Sequence, residues 1–278
     1  MKINLAKSAG FCFGVKRAIT LALETAKNNR KVYMLGDIVH NEEVVGQIKK
    51  VGIKQIQKLS AGKNKILLIR AHGSATEIIN RGKKLGYKIV DATCPMVKEI
   101  HKIARSAQTR DLYLIVIGDK KHDEVLGIIG QIESRSIIID QLQNIPKSVK
   151  YIKKAVVVVQ STQNLTNVTK IVHQLKKNIP YLEFHNTICQ PTRTKQEEIK
   201  NLPLKNDLML VIGSKNSANT QRLYEISKSL NSQSYWISSA KEIKKKWFEN
   251  IKSVGITAGA STPESTIQKV IKQLSTLA

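Results

Sequence analysis

The feature that most constrains this chain is a unit that occurs three times along it, each copy opening on one of its three cysteines. Cys12 is followed by a helix-like stretch and then the apolar strand "VYML" from Val32, Cys94 by "LYLIVI" from Leu112, and Cys189 by "LMLVI" from Leu208. These strands begin 20, 18 and 19 residues after their cysteines (12 to 32, 94 to 112, 189 to 208). A second short strand follows in each copy ("IKQI", "SIIID", "SYWIS"), then a third ("ILLI", "AVVVV", "VGIT"), and then a helix-like segment. In the first two copies a fourth strand leads into the next cysteine, "YKIVDATC" and "YLEFHNTIC"; for the third copy, "KINLAKSAGFC" at the amino terminus supplies it. Self-similarity of this kind signals a repeated architecture. Strands alternating with helices require largely parallel sheets, with ligand-binding loops after the carboxyl ends of the strands. The expected fold is therefore α/β: three similar small domains, 13–95, 96–188 and 189–278 completed by residues 1–12, in a pseudo-threefold arrangement that brings one cysteine per domain toward a common centre.

Composition narrows the class further. No apolar run approaches the ~20 residues that span a bilayer, and the amino terminus lacks the apolar stretch and cleavage site of a secretory signal. We expect a cytoplasmic protein without a membrane segment. The net charge is +25, which fits a nucleic acid, an anionic surface or an acidic protein partner. Its lysines are scattered ("KNNRK", "KEIKKKW") and only 5% of residues are aromatic, so neither a basic stripe nor a set of base-stacking platforms is in view.

An odd number of cysteines in a reducing compartment argues against a disulfide framework. With no CxxC pair, any joint site must be assembled from distant segments. Each cysteine precedes a helix signal: Gly14 and "VKRAITLALETA", Pro95 and "MVKEIHKIARSA", Pro191 shortly before "TKQEEIKNL". Helix N-termini favour thiolate, the metal-binding form. One such cysteine reads as a small buried hydrophobe; three at equivalent points of a repeat read as ligands. Three thiolates can hold zinc with one position open or a 4Fe-4S cluster with one iron left free, and the residues alone leave both alternatives standing.

Polar residues crowd the loops after the strands. "VYMLGDIVHNEEV" delivers His40, "ILLIRAHGSA" His72, and "LYLIVIGDKKHDEV" His122 with Glu124; "AVVVVQSTQN" delivers Ser161 and Thr162, "LMLVIGSKNSANTQR" Ser217 and Asn219, and "VGITAGASTPES" Ser261. His101 and His173 lie in helical patterns and His185 near a strand end, and these three are assigned to structure. Histidine, hydroxyl and amide groups beside glycine suit phosphate oxygens, while no GxGxxG or GxxxxGK[ST] motif is present. Glu124 becomes a general acid if desolvation raises its pKa. Ser161 and Thr162 either relay a proton or cap a helix.

In order along the chain, "GFCFGVKRA", "VHNEEVV", "AHG", "DATCPMV", "HDEVLG", "GSKNSANTQRL" and "TAGASTPES" resemble the signatures of one family, the LytB or IspH 4-hydroxy-3-methylbut-2-enyl diphosphate reductases of the non-mevalonate isoprenoid pathway. The resemblance implies a 4Fe-4S cluster on Cys12, Cys94 and Cys189 at the centre of three α/β domains, with one open iron for the allylic hydroxyl of the substrate. Two electrons and two protons then replace that hydroxyl by hydrogen, giving isopentenyl and dimethylallyl diphosphates. By matching motif, Glu124 is the proton donor, with His122 and Ser161 beside it, while His40, His72, His122, Ser217, Asn219 and Ser261 hold the diphosphate or order the proton path. Thr192 is retained as a substrate contact. Ser161 replaces a usual threonine, Ala218 a common second serine, and "CQPTRTKQ" carries Pro191 for alanine and Lys195 for arginine. An acidic electron donor such as a ferredoxin or flavodoxin fits the positive charge. The competing readings are a zinc-dependent hydrolase of a phosphorylated substrate, in which Glu124 activates a zinc-bound water, and a basic nucleic-acid-binding protein, which the scattered lysines disfavour.

Overall fold

The computed structural model describes residues 1–29, 31–133 and 135–276; the last two residues of the range 189–278 lie outside them. Among the described residues twelve strands form three four-stranded sheets, all parallel and all of one connectivity. The strand β1 (Lys2–Leu5) and helix α1 (Phe13–Asn28) come first. The next segment forms a sheet from β2 (Val32–Leu35), β3 (Lys54–Ile56), β4 (Ile66–Ile69) and β5 (Lys88–Asp91), in the order β3-β2-β4-β5, with α2 (Glu42–Lys50) after β2 and α3 (Thr76–Lys84) after β4. Following α4 (Pro95–Thr109), the strands β6 (Tyr113–Ile117), β7 (Ser136–Ile139), β8 (Lys154–Val159) and β9 (Tyr181–Phe184) repeat that order as β7-β6-β8-β9, with α5 (Asp123–Ile129) after β6 and α6 (Leu165–Asn178) after β8. After α7 (Gln190–Asn201) come β10 (Leu208–Ile212), α8 (Ala218–Leu230), β11 (Ser234–Ile237), β12 (Ser253–Ala258) and α9 (Glu264–Ser275). Their sheet is closed at one edge by β1, whose Lys2–Leu5 pair in register with Ser253–Ile256 of β12.

The pattern of side chains explains why each sheet is covered twice. In β6 and β8 every residue but the first is buried. Ile115, Ile117, Val157 and Val159 pack against Val168, Ile171, Val172 and Leu175 of α6. The intervening Leu114, Val116, Val156 and Val158 pack against Ile100, Ala104 and Ala107 of α4 and Val125 and Ile128 of α5. A period of two in the strand thus meets a period of 3.6 in the helices, as parallel sheets with helical crossovers require. The β10–β12 sheet follows the same rule: Leu208, Leu210 and Ile212 face Ile267, Val270 and Leu274 of α9, while Met209 and Val211 face Ile199 of α7 and Leu223 of α8. Burying a side chain of this size contributes roughly 1.5–3 kcal/mol, so these central strands anchor the loops at their ends.

Two compact units result. One comprises Met1–Lys16, His40–Gly46 and the segment from Gln190 onward and carries the β1/β10–β12 sheet; the other comprises Arg17–Val39 and Gln47–Cys189 and carries the remaining two. No helix among the described residues is long and apolar enough to cross a membrane.

Candidate functional site

The three cysteines lie outside any disulfide, are partly exposed, and occupy equivalent backbone settings. The Cys12 N–H donates to the carbonyl of Ala260 (3.1 Å), that of Cys94 to Ala71 (2.9 Å) and that of Cys189 to Ser161 (3.1 Å). Each acceptor lies two residues beyond the third strand of its sheet, β12, β4 and β8. Each cysteine also stands directly before a helix, α1, α4 or α7. Pro95 fills the first position of α4, where its missing N–H costs nothing. Helix α7 begins at Gln190, earlier than "TKQEEIKNL", because a proline in the first turn is tolerated for the same reason.

In the larger unit a buried acid stands at the end of β6. Glu124 is 2% exposed, and its carboxylate accepts the Ser161 N–H (2.6 Å) and the Ser161 hydroxyl (2.8 Å). Desolvation pushes its carboxyl up to about 7; the Ser161 bonds pull it down and the charge of Asp119 pushes it further up. This is an acid poised to hold or release a proton near neutral pH. His122 caps α5: its Nδ1 accepts the Glu124 N–H (3.1 Å), so the neutral ring carries its proton on Nε2. The His72 and His122 rings meet edge to face, centroids 5.5 Å apart. Arg70 pairs with Asp123 at 2.6 Å and so fixes the start of α5 to the end of β4.

The capping reading of Ser161 and Thr162 does not hold. Asn164 caps α6 by accepting the Asn167 N–H, Ser161 binds Glu124, and the Thr162 hydroxyl accepts the Gln160 amide (3.0 Å). A serine whose N–H and O–H both converge on one carboxylate is a partner for that carboxylate, which neighbouring positions in sequence do not reveal.

In the smaller unit the loops after β10 and β12 carry the other polar residues. Ser217 caps α8, its oxygen accepting the Thr220 N–H (3.3 Å). Asn219 is 4% exposed, yet neither its amide nitrogen nor its oxygen has a hydrogen-bond partner; the Thr220 hydroxyl is likewise buried and unpaired. Leaving such groups unmatched costs about 1–3 kcal/mol each. The Ser261 hydroxyl donates to the His40 carbonyl (3.1 Å), placing Ser261 in support of the His40 loop. Thr192 is buried within α7 at 1% exposure.

Two acids, a buried histidine and a buried lysine were not singled out as site residues by their spacing. Glu42 accepts Ser214 (2.8 Å) and Asn216 (3.1 Å), and Glu43 accepts Thr266, so the start of α2 is bound to the loop after β10 and to the first turn of α9. His101 on α4 is buried against Gly73 and Gly127, where a Cβ at Gly73 would meet the ring at 2.6 Å; burial pushes it down to about 4, so it is neutral. Lys195 lies within the smaller unit at 2% exposure.

Known proteins agree with this picture in both sequence and fold. A family model described as LytB protein matches residues 3–275. The 4-hydroxy-3-methylbut-2-enyl diphosphate reductase of Aquifex aeolicus is 39% identical over 96% of this chain and 94% of its own length, and that of Campylobacter hominis is 38% identical over the whole of both. A solved structure of an (E)-4-hydroxy-3-methyl-but-2-enyl diphosphate reductase, described as the terminal enzyme of the non-mevalonate pathway, superimposes with a TM-score of 0.73 at 37% identity, covering 99% of this chain and 100% of that one. The E-1-hydroxy-2-methyl-but-2-enyl-4-diphosphate reductase of Plasmodium falciparum superimposes with a TM-score of 0.91 at 28% identity, covering 99% and 88%. With its motifs, its three matching sheets and its full-length relatives in accord, the chain belongs to the LytB family.

Proposed function

We propose that this chain is a 4-hydroxy-3-methylbut-2-enyl diphosphate reductase: it replaces the allylic hydroxyl by hydrogen, with two electrons and two protons, releasing water and giving isopentenyl and dimethylallyl diphosphates at the end of the non-mevalonate pathway. The observation that carries the reading is Glu124, a carboxyl buried in the fold, raised to about 7 and held by both polar hydrogens of Ser161. Expelling hydroxide from carbon needs a proton at the departing oxygen, and a carboxylic acid near neutrality is suited to give it.

The donor set fits an iron–sulfur group: three cysteines outside any disulfide, each at a helix start, each held by the same N–H to carbonyl bond. Cys12, Cys94 and Cys189 would hold a 4Fe-4S cluster with one iron open. When bound, it would relay electrons from an external donor to the substrate and offer an electrophilic site for the hydroxyl oxygen. The rest of the chemistry belongs to side chains. Glu124 holds the proton at a carboxyl oxygen, and Ser161 keeps that carboxyl in one orientation and completes its proton path. His122 Nε2–H and His72 offer donors to anionic oxygens, as do Ser217 and the unpaired Asn219 amide. Ser261 orders the His40 loop, and Thr162 and Thr192 complete the polar lining. The three repeats, 13–95, 96–188 and 189–278 with 1–12, would be its three α/β domains, in a cytoplasmic setting that keeps thiols reduced.

Electrons would come from an acidic donor such as a ferredoxin or flavodoxin, drawn by the charge of +25. Its rate of electron transfer should fall as salt screens that attraction; a rate indifferent to ionic strength removes this part of the proposal. The function itself is tested anaerobically with the allylic diphosphate and a reduced dye. Wild-type protein should be brown and consume dye, Glu124→Gln should stay brown and stop turning over, and Cys94→Ser should be colourless and inactive. Colourless, zinc-loaded protein with full activity would overturn the reading in favour of zinc chemistry.

A further inference from the structure

Lys195 is a lysine buried almost completely, on α7, and its surroundings assign it a task. Its ammonium donates to the backbone carbonyls of Ser8, Gly10 (3.1 Å) and Ala258 (3.1 Å). An ammonium has three donors and no acceptor, and here three carbonyls take all three. Those carbonyls belong to the arm that ends in Cys12 and to the last residue of β12, the strand whose following loop receives the Cys12 N–H. One turn further along α7, Glu198 accepts the Ser8 N–H (3.0 Å) and hydroxyl. One face of α7 therefore grips residues 8–10 through their donors and their acceptors together. Gly10 completes the fit: its φ is +92°, and a Cβ there would meet Ile267 at 3.1 Å, so the turn that carries the arm past α9 favours glycine. A buried cation is costly unless an anion answers it. Burial pushes the Lys195 ammonium down to about 8, while its surroundings at Cys12 and at Glu198, already engaged by Ser8, act in the opposite direction.

We propose that Lys195 is the positioning residue of the Cys12 arm: it locks residues 8–10, which lead into Cys12, into the ligand-presenting conformation and supplies a fixed positive charge that favours the electron added to a cluster bound there. The proposal rests on the iron–sulfur reading for its charge half and on the chain alone for its locking half. A fixed cation favours the more negative, reduced state of such a group over the oxidised one.

The test uses Lys195→Met, which removes the charge and the donors, and Lys195→Arg, which keeps the charge. In the metal-free protein, the Gly10 and Cys12 amides should exchange with solvent at least about tenfold faster in Lys195→Met. In the anaerobically loaded protein, an EPR-monitored redox titration should find the reduced-to-oxidised ratio at a fixed potential lowered about tenfold by Lys195→Met, which is 59 mV for a one-electron couple. Lys195→Arg should leave that ratio within about twofold. Should Lys195→Met not accumulate as folded protein, Lys195→Gln removes the charge while keeping a donor and takes its place in both measurements. Exchange and potential both within twofold of wild type overturn the proposal. If wild-type protein carries no iron, the charge half is overturned with the cofactor reading, while the exchange rates still decide the lock.

Discussion

Replacing Glu124 by glutamine tests the buried acid through stability alone, without any turnover. A carboxyl that titrates near 7 in the fold and near 4.5 outside it holds its proton more tightly when folded. The stability this contributes is fully present below about pH 4.5 and is lost as pH rises through 7, because ionisation then takes place inside an apolar pocket. At 1.36 kcal/mol for each tenfold change in proton affinity, the wild-type chain gives up about 3 kcal/mol between pH 4 and pH 8 on account of this group. Glutamine can keep both contacts, its oxygen accepting the Ser161 N–H and its amide donating to the Ser161 oxygen, but it does not ionise. Urea denaturation of the metal-free proteins under reducing, anaerobic conditions should therefore give similar free energies at pH 4 and a variant more stable by about 3 kcal/mol at pH 8. All other titrating groups are common to both proteins and cancel in the difference. Parallel stability curves across this range would refute the assignment of a raised pKa, and with it the view that Glu124 stores a proton at neutral pH.

Ser161→Ala removes a hydroxyl that lies 2.8 Å from the Glu124 carboxylate and favours its ionised form. The alkaline fall of kcat/KM should move up by about one pH unit, the worth of one hydrogen bond to a charged group; a pH–rate profile with its limb unmoved would contradict the pairing. Asn219→Ala should raise KM for the diphosphate by about tenfold or more while leaving the urea midpoint no lower than wild type, since the amide has no partner in the folded chain. A marked loss of stability without a change in KM would make Asn219 a structural residue. Deleting residues 1–5 should strip the edge of β12 and lower the unfolding free energy; unchanged stability would mean that β1 contributes nothing to its sheet.

Much of the fold was legible because the repeat multiplies each weak signal by three. "ILLI", "AVVVV" and "VGIT" are short apolar runs that could belong to strands or buried helices, but their recurrence at matched distances from a cysteine decides for strands, and each forms an inner strand of its sheet. The amino-terminal "KINL" carries only a faint pattern of its own, with two of its four residues exposed, and is readable only through the gap it fills. What escaped was contact between distant segments. Nothing in "HDEV" distinguishes a surface carboxylate from one 2% exposed, and nothing in "QST" says that a serine 37 residues away will hold it. Lys195 stands out in the sequence only as a lysine in place of the family's usual arginine; the convergence of three carbonyls from residues 8, 10 and 258 on its ammonium is visible only in the fold.

The central claim is that three equivalent cysteines make this chain an iron–sulfur enzyme whose substrate engages one iron. Mössbauer spectroscopy of the anaerobic, iron-enriched protein, with and without the allylic diphosphate, measures cluster type and the unique site together. The account predicts a four-iron spectrum in which one component moves on adding substrate while three remain. An iron-free or zinc-loaded protein that is fully active, or a four-iron spectrum that the substrate leaves unchanged, would contradict it.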